Sequence, residues 1–183
     1  DSTERERYGL FDVVEDNGVV KDLTIQGKME VNASYAGAIA GQNHGTVTDC
    51  VNNAEIVNKK NGGASGGIVG VAYRSAEIRN CENTGSITSY SVAGIVCRFD
   101  YDTFITSSSL SNCTNWGLIK GVEHSAGIVA GGKNVVIENC MNLGMIQSVV
   151  MAAGIGLRDR GDYKMVNCFN GGKVIGRNAY GIS

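Results

Sequence analysis

The stretch Ile78-Arg79-Asn80-Cys81-Glu82-Asn83-Thr84-Gly85-Ser86-Ile87 contains the pattern that decides the fold of this 183-residue chain. The pattern returns at five other places, around Leu23, Cys50, Cys113, Cys140 and Cys168. Six aligned copies in one chain predict a repeat architecture, in which each copy is one structural unit stacked on the next.

The aligned copies form five constrained columns. Three residues before the cysteine stand apolar residues: Val20, Val47, Ile78, Leu110, Ile137 and Met165. One residue before it stand Asp22, Asp49, Asn80, Asn112, Asn139 and Asn167. Two residues after it stand Ile25, Asn52, Asn83, Asn115, Asn142 and Asn170. Four residues after it stand Gly27, Ala54, Gly85, Gly117, Gly144 and Gly172, and six after it Met29, Ile56, Ile87, Ile119, Ile146 and Val174.

A second block, Gly67-Ile68-Val69-Gly70, repeats in step with the first. Its aliphatic anchor recurs every 27 to 33 residues, at Leu10, Ile39, Ile68, Ile95, Ile128, Ile155 and Ile182. The segments between glycines and asparagines are only four to six residues long, which is too short for helices and typical of strands. One copy cannot bury its apolar face alone, whereas stacked copies bury a continuous one.

We therefore predict an all-β chain, a right-handed parallel β-solenoid of about seven coils, with three short strands per coil and residues 1–183 in a single domain. The right hand is taken from the preference of parallel β crossovers. Asparagine is expected at the corners of the coils because it tolerates a left-handed backbone, and glycine four residues after the cysteine is expected to form a second tight bend.

Composition agrees with this architecture and excludes two classes of partner. The chain has 26 glycines and no proline, where average usage would give about nine prolines. Proline cannot donate to a sheet ladder, so its absence suits strands that are paired on both sides. A net charge of −2 argues against nucleic acid, and the longest uncharged stretch, Asn142 to Gly156, is too short for membrane insertion.

The columns resemble those of the GLUG-motif repeat, which reads roughly Gly-Gly-Leu-Val-Gly, a variable turn, then Ile-x-Asn-Cys/Ala-x-Asn-x-Gly-x-Ile. The copy from Gly66 to Ile87 fits this closely, as do those beginning at Ala93, Ala126 and Ala153. The resemblance implies a solenoid region of a bacterial protein that is secreted or attached to the cell surface. It also implies that this chain is a fragment of a larger exported protein with adjoining domains.

The resemblance does not imply a reaction. GLUG repeats occur outside the catalytic domain of immunoglobulin A1-cleaving metallopeptidases, whose zinc motif is His-Glu-x-x-His. His44 precedes Gly45 and His124 precedes Ser125, so neither histidine belongs to such a motif.

The six cysteines are predicted to be buried thiols. Cys50, Cys81, Cys113, Cys140 and Cys168 occupy one column and Cys97 another. Metal ligands converge from several directions, often as Cys-x-x-Cys pairs, and a single file of cysteines does not provide this. We therefore expect no metal and no cofactor. Disulfides between neighbouring coils are the alternative, although parallel side chains suit the geometry of the bond poorly.

An insertion between Cys97 and Cys113 is the strongest candidate for a binding site. It carries six aromatic or charged residues, Arg98, Phe99, Asp100, Tyr101, Asp102 and Phe104. Equivalent turns of neighbouring coils carry Tyr73, Arg158, Asp162 and Tyr163. Insertions at one position of a solenoid emerge along one edge, so these residues are predicted to bind a glycan or a host surface protein. The alternative is that the insertion folds back and covers the sheet.

The sequence thus predicts a non-catalytic stalk or adhesion scaffold located outside the cell or on its surface. The alternative function is a carbohydrate-active enzyme, a polysaccharide lyase or glycoside hydrolase, using Asp100 and Asp102 as a carboxylate pair. A further possibility is end-to-end self-association through the terminal coils.

Overall fold

Each strand pairs in parallel with its counterpart one repeat earlier or later in the chain. The computed structural model describes residues 6–73, 75–100, 107–157 and 163–182. These residues form five parallel sheets, here called sheets A to E in the order in which each coil visits them.

Sheets A and B begin each coil. Sheet A contains β1 (Arg7–Tyr8), β6 (Tyr35–Gly37), β11 (Ala64–Gly66), β16 (Ser91–Ala93), β21 (His124–Ala126), β26 (Met151–Ala153) and β30 (Asn178–Tyr180). Sheet B contains β2 (Phe11–Val14), β7 (Ala40–Asn43), β12 (Val69–Tyr73), β17 (Val96–Asp100) and β22 (Val129–Gly132). A single bridge between Val129 and Gly156 continues sheet B into the following coil.

Sheets C, D and E complete the coil. Sheet C contains β3 (Val19–Lys21), β8 (Thr46–Thr48), β13 (Glu77–Arg79), β18 (Ser108–Ser111), β23 (Val135–Glu138) and β27 (Tyr163–Val166). Sheet D contains β4 (Thr24–Ile25), β9 (Val51–Asn52), β14 (Glu82–Asn83), β19 (Thr114–Asn115), β24 (Met141–Asn142) and β28 (Phe169–Asn170). Sheet E contains β5 (Lys28–Val31), β10 (Glu55–Asn58), β15 (Ile87–Thr88), β20 (Ile119–Gly121), β25 (Ile146–Ser148) and β29 (Val174–Ile175).

The predicted all-β parallel solenoid is confirmed. The described strands make about six turns, close to the seven coils predicted. A complete coil contains five strands rather than three, because additional bends divide the extended segments. Its right hand stays a prediction. A search of the described segments found no helix with the length and apolar character needed to cross a membrane.

The bend between sheets C and D is made by the aspartate and asparagine column, as predicted. These residues have a left-handed backbone: Asp22 (φ 57°), Asp49 (φ 55°), Asn80 (φ 54°), Asn112 (φ 54°), Asn139 (φ 54°) and Asn167 (φ 51°). Asparagine and aspartate tolerate this conformation better than other side-chain-bearing residues. Their side chains form an exposed ladder, in which Asn112 Nδ2 donates to Asn80 Oδ1 at 3.2 Å.

The interior holds two separate apolar clusters. The larger lies between sheets B, C and D and contains the isoleucine ladder of Ile39, Ile68, Ile95, Ile128 and Ile155. The smaller lies between sheets E and A and contains the ladder of Ile56, Ile87, Ile119 and Ile146. All nine isoleucines are fully buried, so equivalent methyl groups stack from coil to coil through the middle of the solenoid. The anchors of the first and last coils, Leu10 and Ile182, are exposed.

The second asparagine column separates these clusters, which corrects the expectation that it lies at corners. Asn83 ends β14 with its side chain fully buried, and its Nδ2 donates to Asn115 Oδ1 at 2.7 Å and to the Gly85 carbonyl at 3.0 Å. Equivalent bonds join Asn52 to Asn83, Asn115 to Asn142 and Asn142 to Asn170. Ile25, the one member of the column that is not asparagine, packs against both apolar clusters.

A glycine at the bend between sheets A and B touches the asparagine in four successive coils, from Asn83 to Asn170, whereas Ala38 holds this bend position in the coil of Asn52. A Cβ on Gly94 would lie 2.5 Å from Asn115 Cγ and 2.1 Å from the Gly127 carbonyl oxygen. No side chain fits there, so the A–B bend approaches sheet D and narrows the coil into a waist between the two apolar clusters. The outer surfaces of sheets A and B therefore meet in a concave angle.

The glycine column four residues after the cysteine has a different role from the one predicted. Only Gly27 of this column has a left-handed backbone, with φ +103°. In the later coils the constraint is contact between coils, since a Cβ on Gly85 would lie 2.0 Å from the Ala54 carbonyl oxygen.

We predict that Gly127→Ala destabilises the chain severely, by about 4 kcal/mol or more, because overpacking against backbone cannot be relieved by a side-chain rotation. The new Cβ would lie 2.0 Å from the Gly154 carbonyl oxygen and 2.4 Å from Asn142 Cγ. Gly181→Ala is the matched control, because Gly181 occupies the same column in the last coil and has no atom within 4 Å of its Cβ position. Urea unfolding checks both, and an equal loss of stability in the two variants would contradict the waist.

We also predict that Asn115→Ala lowers the free energy of unfolding by about 3 kcal/mol, because it leaves a donor on Asn83 and an acceptor on Asn142 buried without their partner. The control is Asn112→Gly, which removes a rung of the exposed ladder and keeps the left-handed backbone, and should cost less than about 1 kcal/mol. The measurement is again urea unfolding, followed by circular dichroism.

Candidate functional site

The structure brings together three residues of the predicted binding edge. Tyr73 and Asp100 are paired neighbours at the ends of β12 and β17. The Tyr73 hydroxyl donates to Asp100 Oδ2 at 3.4 Å, and Arg98 Nε lies 3.5 Å from Asp100 Oδ1. The Arg98 side chain is 40% exposed, so this cluster of tyrosine, carboxylate and guanidinium faces the solvent in part.

Phe99 does not belong to this surface, and its assignment as a binding residue is wrong. Its side chain is 1% exposed and packs in the larger apolar cluster. The reason is the alternation along β17, which turns Phe99 inward beside Ala72 while its neighbours Arg98 and Asp100 are partly exposed. The core requires the ring, and it cannot be a contact for a ligand.

Five of the other six predicted edge residues lie outside the described residues: Tyr101, Asp102, Phe104, Arg158 and Asp162. Tyr163 is the first residue of β27, where it pairs with Val135 of β23.

His44 joins the cluster from the preceding coil, which the sequence analysis missed. Its ring stacks on that of Tyr73, with centroids 5.3 Å apart and an interplanar angle of 11°. Its Nε2 is in close contact with Gln42 Nε2, and its Nδ1 lies 4.0 Å from Asp16 Oδ1. The sequence signal was available, because His44 precedes Tyr73 by 29 residues, which is the spacing of the coils there.

A groove runs along the concave angle between the outer faces of sheets A and B. Its volume is about 590 Å³. It is lined by Ser34, Tyr35, Gly62, Ala64, Tyr90, Ser91, Cys97, Arg98, Glu123, His124, Ala130 and Gly131. Below the groove the outward side chains of both sheets form a third apolar cluster made largely of small residues, including Ala64, Ala93, Ala126 and Ala130.

The polar groups of the groove lie around this floor of small residues. Arg98 contributes a guanidinium from sheet B, and His124 an imidazole from sheet A. His124 Nδ1 lies 3.7 Å from Glu123 Oε2, so a carboxylate accompanies the imidazole, as Asp100 accompanies Arg98. The groove thus offers charged groups of both signs within one concave surface.

Sequence reasoning missed most of this groove. Tyr35, Ser91 and His124 share a column, the first position of sheet A, but that column also contains Ala64 and Met151 and shows no single chemical type. The concave shape follows from the contact between the glycines of the A–B bend and the buried asparagines. Neither sequence column by itself reveals that the two are in contact.

The cysteines are free thiols, and five of the six are buried. The thiols of the main column each donate to the carbonyl two residues earlier, as Cys113 Sγ does to Ser111 O at 3.2 Å. Burial raises the pKa of Cys97 to about 12 and raises the pKa of Cys113 well above its usual range. Among the described residues, no group of three or more histidine, cysteine or acidic side chains is arranged to hold a metal ion.

We predict that a thiol reagent modifies at most one cysteine, the half-buried Cys168, in the native chain at pH 8. Burial keeps the other thiols from the reagent, and the raised pKa of Cys97 keeps it protonated until the pH approaches 12. Unfolding in urea should make all six reactive, and Cys168→Ser should abolish the native signal. Rapid native labelling of several cysteines, counted by mass spectrometry, would contradict the buried column.

The geometry defines a repeat-built parallel β-solenoid with a lateral groove. Residues 61–88, which span one coil from β11 to β15, match the model of the GLUG motif. The chain therefore carries a GLUG motif, and the equivalent columns of the other coils are consistent with a GLUG-motif repeat protein. Comparison of this chain with curated proteins found no match, and comparison with solved structures found none.

Proposed function

We propose that this chain is a non-catalytic module of an exported bacterial protein, acting at the cell surface or outside the cell as a stalk and adhesion scaffold. The observation that carries the proposal is the continuity of the ladders. Sheets C, D and E each pass through six coils, and the buried amide ladder passes from Asn52 to Asn170.

Such continuity suits a stalk because neighbouring coils are joined by backbone bonds, stacked isoleucines and buried amides at once. Bending the solenoid would have to open several of these ladders in the same coil. A repeat array of this kind holds whatever it displays at a fixed distance and orientation.

The proposal includes recognition of a glycan or a host surface protein at the binding edge. Tyr73, Arg98 and Asp100 support it, since they combine an aromatic ring with both charges at a partly exposed position. Tyr101, Asp102, Phe104, Arg158, Asp162 and Tyr163 remain part of the proposed edge on the grounds of sequence.

A binding role for Asp100 is supported by the groups of the protein that hold its carboxylate. One oxygen accepts from Tyr73 and the other lies beside Arg98. Each carboxylate oxygen has further lone pairs, so Asp100 can also accept a hydrogen bond from a ligand. In our proposal the surface holds its ligand in this way, without chemical change.

A glycan array followed by analysis of the released material tests this proposal. We expect the intact chain to retain particular glycans on the array, and mass spectrometry to find no shortened or unsaturated oligosaccharide after prolonged incubation. Release of such products would identify the chain as a carbohydrate-active enzyme and overturn the proposal. Phe99 must be left unchanged in any variant, because its replacement would empty part of the core.

A further inference from the structure

We infer that the groove between sheets A and B binds a neutral oligosaccharide that lies along the axis of the solenoid. The inference rests on the proposed glycan-binding function. It moves the principal contacts from the insertion at residues 98–104 to the concave surface formed by the strands.

The groove has the size and shape for a short sugar chain. Its volume of about 590 Å³ lies within the range of small-molecule sites. On the sheet A side it extends over four successive coils, through Tyr35, Ala64, Ser91 and His124, which spans about 14 Å at the spacing of paired strands. The length runs along the stacking direction, so an extended ligand lies parallel to the axis.

The floor is suited to close approach by a broad, rigid ligand. It is lined by Ala64, Cys97, Ala130 and Gly131. The largest side chain among them is the CH2–SH group of Cys97. They are held in place by the glycine and asparagine contact beneath, which narrows the coil at this point. A sugar ring can therefore lie against the sheets without displacing protein atoms.

The polar groups match hydroxyl groups better than a single charge. Each sugar hydroxyl both donates and accepts a hydrogen bond, so it needs acceptors and donors close together. Glu123 supplies carboxylate acceptors, Arg98 supplies guanidinium donors, and the Tyr90 and Ser91 hydroxyls can do either. The half-buried Tyr90 adds aromatic surface, against which the C–H groups of a sugar can pack.

The same groups disfavour other ligands. A polyanion would meet the carboxylate of Glu123 inside the groove and that of Asp100 beside Arg98. A peptide strand would need unpaired backbone groups for β-augmentation. Within the groove, strands such as β11 and β16 have neighbours on both sides, so their backbone groups are already used in sheet pairing. Neutral sugars avoid both difficulties.

Calorimetric titration with the neutral oligosaccharides retained on the array tests the site. We expect Tyr90→Ala and Arg98→Gln each to weaken binding by about tenfold or more, since each removes a direct contact.

Arg79→Gln is the matched control for charge, because Arg79 is also 40% exposed and also pairs with a carboxylate two residues away, at 3.1 Å. Trp116→Ala, at an aromatic ring that is 52% exposed and lies just after β19, controls for loss of an exposed ring. Neither control should change the affinity.

Each of three other outcomes would overturn the groove or the ligand inferred for it. Unchanged affinity in Tyr90→Ala, combined with loss of binding in a Tyr101→Ala/Phe104→Ala variant, would place the ligand on the insertion and leave the proposed function intact. Binding only of uronate-rich or sulfated glycans would overturn the choice of a neutral ligand. No binding of any glycan by the folded chain would overturn both the groove and the glycan-binding part of the proposed function, while the test for released products still decides between scaffold and enzyme.

Discussion

The contact between the buried asparagine ladder and the glycines of the A–B bend is the constraint on which the rest of the coil depends. The Asn83 amide donates to the Gly85 carbonyl in its own coil and to Asn115 in the next coil. It also occupies the space in which a Cβ on the facing glycine, Gly67, would lie. An unpaired buried amide is costly, so the ladder favours asparagine in consecutive coils, as from Asn52 to Asn170. The repetition of asparagine in these five coils is a consequence of that requirement, and the ladder ends at the first coil, where Ile25 takes the position.

The waist also explains why the molecule has two interior clusters and an external groove. Drawing the A–B bend toward sheet D divides the apolar interior into a larger and a smaller cluster. The same displacement turns the outer faces of sheets A and B toward each other and gathers Arg98, Glu123 and His124 around one concave surface. The shape of the proposed ligand surface is therefore a consequence of core packing.

Much of the fold could be predicted from the sequence because stacked coils copy one pattern six times. The columns identified the parallel solenoid, the inward isoleucines and the left-handed residues before each cysteine. They did not distinguish a corner asparagine from a buried one, since Asn80 and Asn83 are the same residue type three positions apart. Phe99 was misassigned because an inward aromatic beside Arg98 and Asp100 looks like part of an exposed cluster until the alternation of β17 is known.

The two side-chain ladders have opposite directions along the axis. In the buried ladder the amide nitrogen of each coil donates to the next coil, as Asn83 does to Asn115. In the exposed ladder the amide nitrogen donates to the preceding coil, as Asn112 does to Asn80. The two columns of amide dipoles are thus antiparallel and offset each other in part, so the solenoid gains coil-to-coil bonds from both without the electrical polarity that a single aligned column would give a rod.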